Sequence, residues 1–279
     1  MAHIGNDKSL LTMRQYQKAR KIRKRNRQVF LYPFYKLLST ILERSLDFFI
    51  LDLKNVDPPL YYLQQSAYDV YRKVQISANV QKLNVGLNRD WSLYLNPVVS
   101  DVVSRFASQT SIRGICMGAR NGSEVRYLKT EFSKFFSSNH VIGTDISDTA
   151  KSISNMVVHD FHEPLPENLN QVDFIFSNSL DQSQNPRLAL TNWINALHPS
   201  GCIYLHFSRS HGKQALSNLD PFSCETELFP FVFLNWFNGD AFIERFIKIR
   251  ENKPAEVLFI IKKLKSIVAR SDGLEPPTF

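Results

Sequence analysis

The residues best suited to chemistry lie between positions 112 and 146, where glycines and an acid follow apolar runs. Gly118 and Gly122 come after the run 112 to 117, and Asp145 ends a second run. Backbone N–H groups in such a turn, and at the start of the helix after it, attract the polar part of a nucleotide. A carboxylate at the end of the second strand can accept hydrogen bonds from both ribose hydroxyls. This stretch therefore predicts a nucleoside-binding site.

The elements that position these residues follow a regular alternation of strand-like runs and helix-length stretches. The runs are 112 to 117, 140 to 146, 156 to 160, 172 to 177 and 201 to 207. Such alternation predicts a mostly parallel sheet with helices on both faces. Two later runs, 242 to 249 and 256 to 263, are joined by a link of hairpin size. The predicted fold is α/β: a Rossmann-like, mostly parallel seven-stranded sheet with a terminal antiparallel hairpin and an N-terminal helical extension.

The positive charge belongs to one end of the chain. The formal net charge is +8, and the first thirty residues carry nine of the 34 Lys and Arg but one of the 26 acids. The remainder therefore holds 25 of each and is neutral. Residues 1 to 29 are predicted to form a basic arm that is either solvated or bound to an anionic surface, which could be a phospholipid membrane or nucleic acid.

Helical segments are predicted between this arm and the first strand. Apolar residues recur at three- and four-residue spacing over 30 to 53, which predicts an amphipathic helix packed on the main domain, on a partner subunit in a homodimer, or on a membrane surface. Further helices are predicted at 60 to 83 and 97 to 107. The predicted organisation is a basic arm at 1 to 29, a helical accessory segment at 30 to 96, an α/β domain at 97 to 264 and a tail at 265 to 279.

Cysteine usage and hydropathy favour an intracellular protein. Three cysteines are too few for a disulfide framework, and the histidines lack metal-ligand spacing, so no metal site is predicted. Cys116 and Cys202 are expected to be small apolar side chains in strands. The chain has no run of about 18 uncharged apolar residues and no secretory signal. A cytoplasmic location is predicted, with peripheral membrane attachment and organelle import as alternatives because of the basic arm.

Residues 97 to 264 resemble the class I S-adenosylmethionine-dependent methyltransferases. The likeness rests on four segments: GICMGARNG, VIGTDIS, VVHDFHEPLP and VDFIFSNSLDQSQNPRLALTNWINALHPSGCIYLHF. It implies a transferase that binds S-adenosyl-L-methionine and methylates a small-molecule or macromolecular acceptor. No motif identifies an N-, O- or C-methylating subclass.

Two other functions were weighed against this one. Cys116 and Arg120 stand where that family usually carries an acid and a glycine. A catalytically silent scaffold, which holds an anionic partner through the basic arm, is therefore the alternative. A nicotinamide-dependent enzyme is disfavoured because Gly118 and Gly122 do not form G-x-G-x-x-G.

The resemblance also implies a role for each residue of the cofactor site. Asp145 would accept hydrogen bonds from the ribose, Asp160 would accept one from the adenine amine, and the backbone at Gly118 would approach the methionine part. Arg120 is expected to reach the cofactor carboxylate. The predicted cofactor-binding residues are Gly118, Ala119, Arg120, Gly122, Asp145, Ile146, Asp160, Phe161 and Asn178.

The catalytic requirement of this chemistry is modest. Methyl transfer from a sulfonium is a direct displacement, so the protein mainly aligns the reactants and excludes water. A general base is needed if the acceptor must lose a proton early. The predicted candidates for that base are Asp181 and His211.

Overall fold

A computed structural model describes residues 60–85, 87, 89–208, 216–250 and 256–264. The basic arm, the amphipathic segment 30 to 53, His211 and the tail lie outside these residues. The helices are α1 (Tyr68–Gln81), α2 (Ser92–Arg105), α3 (Ser123–Phe132), α4 (Pro186–Ala196) and α5 (Phe229–Phe237). The strands are β1 (Tyr61–Leu63), β2 (Ser111–Met117), β3 (Ser138–Asp145), β4 (Met156–Val158), β5 (Val172–Ser177), β6 (Leu197–Phe207), β7 (Phe222–Cys224), β8 (Ala241–Lys248) and β9 (Val257–Lys263).

Seven of the strands form one sheet in the order β4-β3-β2-β5-β6-β9-β8. The five strands from β4 to β6 pair in parallel, and β9 pairs antiparallel with both β6 and β8. The predicted fold class, including the terminal hairpin, is confirmed. The chain runs outward from β2 through β3 to β4 and then returns to the other side of β2 as β5. A ligand of an open α/β sheet binds at such a reversal, beyond the carboxyl ends of the strands.

Each face of the sheet is covered by an apolar layer. Side chains alternate along β2, so Ile115 and Met117 contact one cluster and Cys116 contacts the other. Trp193 of α4 and Phe233 of α5 lie in the first cluster, and α2 and α3 supply much of the second. Cys116 and Cys202 are buried in strands, as expected for small apolar side chains. Burial on both faces holds the ends of β2, β3 and β5 in fixed positions at one edge.

The segment 60 to 83 was predicted to be helical throughout, and for its first residues this is wrong. Tyr61 and Tyr62 belong to β1, which pairs antiparallel with β7 in a separate two-stranded sheet. The Tyr61 ring lies 5.2 Å from that of Trp236, centroid to centroid, in an edge-to-face arrangement. Aromatic residues fit a half-buried strand well, and this tertiary packing outweighs the helical spacing of the tyrosines.

Local signals explain where two further helices begin. The Asn185 side chain accepts a hydrogen bond from the N–H of Leu188 at 3.2 Å, and Pro186 occupies the first turn of α4. Helix α2 begins at Ser92 rather than near Pro97, because the buried Tyr94 and Leu95 extend its packed face. Among the described residues, no helix is long and apolar enough to cross a membrane.

Candidate functional site

The glycine turn connects β2 to α3 at the edge of the sheet. Gly118 has φ of 72° and Gly122 has φ of 67°, a left-handed conformation that glycine adopts without strain. Arg120, between them, also has a positive φ of 31°. The N–H of Ala119 donates to the carbonyl of Thr144 at 2.8 Å and so ties the turn to β3. A Cβ added to Gly118 would lie 2.8 Å from the Ser179 side chain, so that side chain packs closely against the backbone of the turn.

Gly118→Ala is expected to lower the free energy of unfolding by about 1 to 3 kcal/mol, since both strain and a clash are introduced. Gly239→Ala is the matched control, because Gly239 has φ of 91° and no atom within 4 Å of an added Cβ. Urea unfolding of both variants separates the clash from the backbone strain. Equal losses in the two variants would show that the contact with Ser179 has no effect on stability.

Asp145 ends β3 and is almost fully buried, with 2% of its surface exposed. Its Oδ1 accepts a hydrogen bond from the N–H of Ser147 at 2.8 Å. The Asn79 Nδ2 donates to Oδ1 at 3.2 Å and to Oδ2 at 3.1 Å. Burial raises the pKa of the Asp145 carboxyl despite these bonds and the nearby charge of Arg120. The next residue, Ile146, is half-buried and lines a cavity.

Asp160 follows β4 and is held by a network of polar side chains. The Asp160 Oδ1 accepts two hydrogen bonds from His162, one from the backbone N–H at 3.0 Å and one from the ring Nδ1 at 2.8 Å. The Tyr68 hydroxyl donates to Oδ2, and His162 Nε2 lies 2.7 Å from Ser183 Oγ. Burial opposes ionisation, but the hydrogen bonds from His162 and Tyr68 outweigh it and lower the pKa of Asp160. Asp160 is therefore an anionic acceptor at neutral pH.

The predicted residues after β5 lie in a tight turn. Asn178 is half-buried and its Oδ1 accepts from Ser179 Oγ at 3.1 Å. Asp181 is buried in a short 3₁₀ helix, Leu180–Gln182. Burial, and then the nearby Asp220, raise the pKa of Asp181 to about 8.

A cavity of about 20 Å³ lies where these elements meet. Among the predicted site residues, Gly118, Ile146, Asp160 and Phe161 line it. Asp145 borders it through Asn79, whereas Gly122, Asn178 and Asp181 do not line it. The remaining lining residues are Tyr71, Gln75, Asn79 and Gln182. A volume of this size holds about one water molecule.

Sequence reasoning missed the contribution of α1 to this site. Tyr71, Gln75 and Asn79 recur at four-residue spacing and are the buried residues of that helix. The signal was present, because a helix with a polar stripe at this spacing faces either solvent or a polar site.

A second missed residue is Glu124, in the first turn of α3. It is 6% exposed, and burial raises its pKa to about 7 even though Arg120, Arg89 and Arg126 lower it. In the part of the chain that the structure describes, its Oε2 has no hydrogen-bond partner. The Glu124 charge also helps burial to raise the pKa of Cys116. The family that the sequence resembles usually carries an acid at the position of Cys116, in β2. Here a carboxyl group near that position is supplied by Glu124, which lies on α3.

Metal chemistry finds no support in the described ranges, where no three His, Cys, Asp or Glu side chains are grouped to hold an ion. The site consists instead of two carboxylates, a strained turn and two apolar side chains around one cleft. Such a set of groups suits an organic ligand with hydroxyl and amine donors.

Comparisons with known proteins agree on the fold. No family model matches the chain, and no curated protein matches its sequence. The 1,6-didemethyltoxoflavin-N1-methyltransferase of Burkholderia thailandensis, solved with 1,6-didemethyltoxoflavin and S-adenosylhomocysteine, is similar in structure. The two are 12% identical with a TM-score of 0.51, and the match covers 77% of this chain and 97% of that one.

Two further solved structures are similar over a shorter part of the chain. One is the partner of the Trm112 methyltransferase activator in a complex from Haloferax volcanii, at 14% identity, a TM-score of 0.48 and coverage of 67% and 95%. The other is the plantazolicin methyltransferase in complex with S-adenosylhomocysteine, at 15% identity, a TM-score of 0.46 and coverage of 69% and 94%. At identities this low, a likeness to a solved structure does not establish the reaction.

Proposed function

Because the chain has the fold of the class I S-adenosylmethionine-dependent methyltransferases, we propose that it binds S-adenosylmethionine and transfers the methyl group to an acceptor. The observation that carries this proposal is the convergence of two carboxylates on one cleft at the reversal point of the sheet. Asp145 ends β3, Asp160 follows β4, and the turn at Gly118 closes the same cleft. Three separate segments of the sequence thus supply groups that suit one nucleoside.

The chemistry of these groups fits the cofactor part by part. Asp145 would accept hydrogen bonds from the ribose hydroxyls, and the anionic Asp160 would accept one from the adenine amine. Ile146 and Phe161 would contact the faces of the base. The absence of a side chain at Gly118 lets the backbone approach the methionine part closely. The sulfonium supplies an activated methyl group, and the protein would supply alignment.

Asp181 is the proposed group for an acceptor that must lose a proton. A general base works best when its pKa is near the operating pH, and burial raises the pKa of Asp181 to about 8. It lies four residues after the end of β5, in the short 3₁₀ helix that follows Asn178 and Ser179. His211 remains a sequence-based candidate for the same role and is outside the described residues.

A silent scaffold of the same fold is the second candidate function. Two observations favour it: the Cys116 side chain lies in the apolar core, and α1 contacts both carboxylates of the cleft. In that case the basic arm, residues 1 to 29, would hold an anionic partner.

Calorimetric titration with S-adenosylmethionine tests the proposal. Asp145→Ala is expected to weaken binding at least about tenfold, because each hydrogen bond to a charged group is worth roughly 1.5 to 3 kcal/mol. Asp148→Asn, an exposed acid three residues further on, is the control and should bind as the wild type does. A separate titration with NAD tests the nicotinamide-dependent alternative. Equal affinity of Asp145→Ala and wild type would refute the assignment of the ribose site.

A further inference from the structure

Helix α1 packs on the domain through polar side chains. Its buried residues are Tyr71, Gln75 and Asn79, whereas Val70 and Val80 are 55% and 51% exposed. A surface helix normally buries an apolar stripe, and that burial is its main source of stability. The polar stripe of α1 therefore fits a partner surface that is itself polar.

That partner surface is the pair of carboxylates assigned to the nucleoside. Asn79 donates to both oxygens of Asp145, at 3.2 and 3.1 Å, as two ribose hydroxyls would. The Tyr68 hydroxyl donates to Oδ2 of Asp160, in the place of an adenine amine. Helix α1 therefore supplies a donor to each carboxylate, beside the bonds from Ser147 and His162.

The remaining contacts of α1 fix it across the cleft. The Tyr71 hydroxyl donates to the carbonyl of Gln182 at 2.9 Å, and Gln75 Nε2 donates to that of Leu219 at 2.7 Å. With α1 in this position the cavity measures about 20 Å³. A cavity of this size holds about one water molecule. A nucleoside cofactor and α1 therefore exclude one another from this cleft.

We propose that α1 is an autoinhibitory helix: it occupies the nucleoside cleft, with Asn79 in the place of the ribose hydroxyls and Tyr68 in that of the adenine amine. This inference rests on the proposed function, because it assigns the same two carboxylates to the cofactor. Cofactor binding requires α1 to leave, so the apparent affinity is reduced by the fraction of molecules in which α1 is docked. Any event that releases α1 would activate the site.

The polar contact between α1 and the cleft suits a helix that docks and leaves reversibly. Hydrogen bonds to water replace those that α1 loses when it leaves, so the net cost of each is small compared with that of exposing an apolar face. Departure would expose the ring of Tyr71, which is 3% exposed, but neither apolar cluster of the sheet includes a residue of α1. The helix can therefore leave without unfolding the core of the domain.

The first test compares affinities for S-adenosylhomocysteine by calorimetry. The variant Tyr68→Phe/Asn79→Ala removes the donors to both carboxylates, and is expected to bind at least about tenfold more tightly than the wild type. Gln81→Ala is the matched control, because Gln81 is an exposed residue of the same helix and should leave the affinity unchanged. Circular dichroism and thermal unfolding verify that each variant is folded.

Hydrogen exchange on the wild-type protein supplies a readout that does not depend on the variants. Saturating S-adenosylhomocysteine is expected to accelerate amide exchange in residues 68 to 81 while it slows exchange around the turn at Gly118. A helix that closes over the cofactor would give slower exchange in 68 to 81, and weaker binding by the double variant. Either result would overturn the autoinhibitory role and leave the proposed function intact.

The two proposals fail in different ways. If a folded wild type and a folded double variant both bind no S-adenosylhomocysteine, the proposed function fails, and α1 is not what closes the site. If both bind equally well, the cofactor site stands and the autoinhibition is wrong. Tighter binding by the double variant supports both.

Discussion

Asp101→Ala is expected to lower the free energy of unfolding by about 2 to 3 kcal/mol, because a buried hydroxyl loses its acceptor and hydrogen bonds to a charged group are lost. Asp101 lies on α2 and is 8% exposed. Its Oδ2 accepts hydrogen bonds from Arg105 Nε at 2.6 Å and from the Tyr204 hydroxyl at 2.7 Å, and its Oδ1 accepts one from Arg245. The alanine variant would leave the buried Tyr204 hydroxyl without its acceptor, whereas Arg105 keeps its pairing with Glu244 and Arg245 is half exposed.

Urea unfolding at neutral pH measures this loss. Asp101→Asn keeps one acceptor oxygen for Tyr204 but removes the charge, and should fall between wild type and the alanine variant. Asp148→Ala breaks an exposed ion pair with Lys151 and is expected to leave the free energy of unfolding almost unchanged. A loss for Asp101→Ala no greater than for Asp148→Ala would mean that α2 is held to the sheet by its apolar residues alone.

The sheet could be predicted because its signals are local and repeated. Strands β2 and β5 are mostly apolar and largely buried, with turn residues after them, as expected for strands covered on both faces. The hairpin of β8 and β9 could be predicted because two strand-like runs of sequence are joined by a link of hairpin size. Strand β1 was missed because Tyr61 and Tyr62 owe their extended conformation to β7, far away in the sequence. Three residues carry too little periodicity to reveal such a pairing.

The candidate site could be predicted from the sequence only in part. Gly118, Asp145 and Asp160 each end a strand or come shortly after one, so the topology brings them to one edge, and Gly118 and Asp160 line the same cavity. The contact between Asn79 and Asp145 joins residues 66 positions apart and depends on where α1 docks. Nothing in the alternation of strands and helices fixes that position. The polar stripe of α1 marked a polar neighbour without identifying it.

Glu124→Gln is expected to stabilise the protein by about 3 kcal/mol at pH 8 and to have little effect near pH 4, since each pH unit of altered pKa corresponds to about 1.4 kcal/mol. Burial raises the pKa of Glu124 from 4.5 to about 7 in the folded chain. Between these values the folded state holds a proton that the unfolded state has lost. The contribution of Glu124 is therefore complete below about pH 4.5, declines as the pH rises, and is gone above about pH 7.

The measurement is the difference in unfolding free energy between variant and wild type from pH 4 to 8, because the titration of other groups cancels in that difference. Glu131→Gln changes an acid on the same helix that pairs with Lys134 at the surface, and is expected to shift stability by less than about 0.5 kcal/mol. A Glu124→Gln difference that did not grow with pH would show that Arg120, Arg89 and Arg126 compensate the buried charge. If that difference grows by about 3 kcal/mol between pH 4 and pH 8, the buried Glu124 carboxylate destabilises the wild-type protein at high pH. Since Glu124 lies in the first turn of α3, directly after the glycine turn of the cleft, such a cost points to a requirement of the site rather than of the fold.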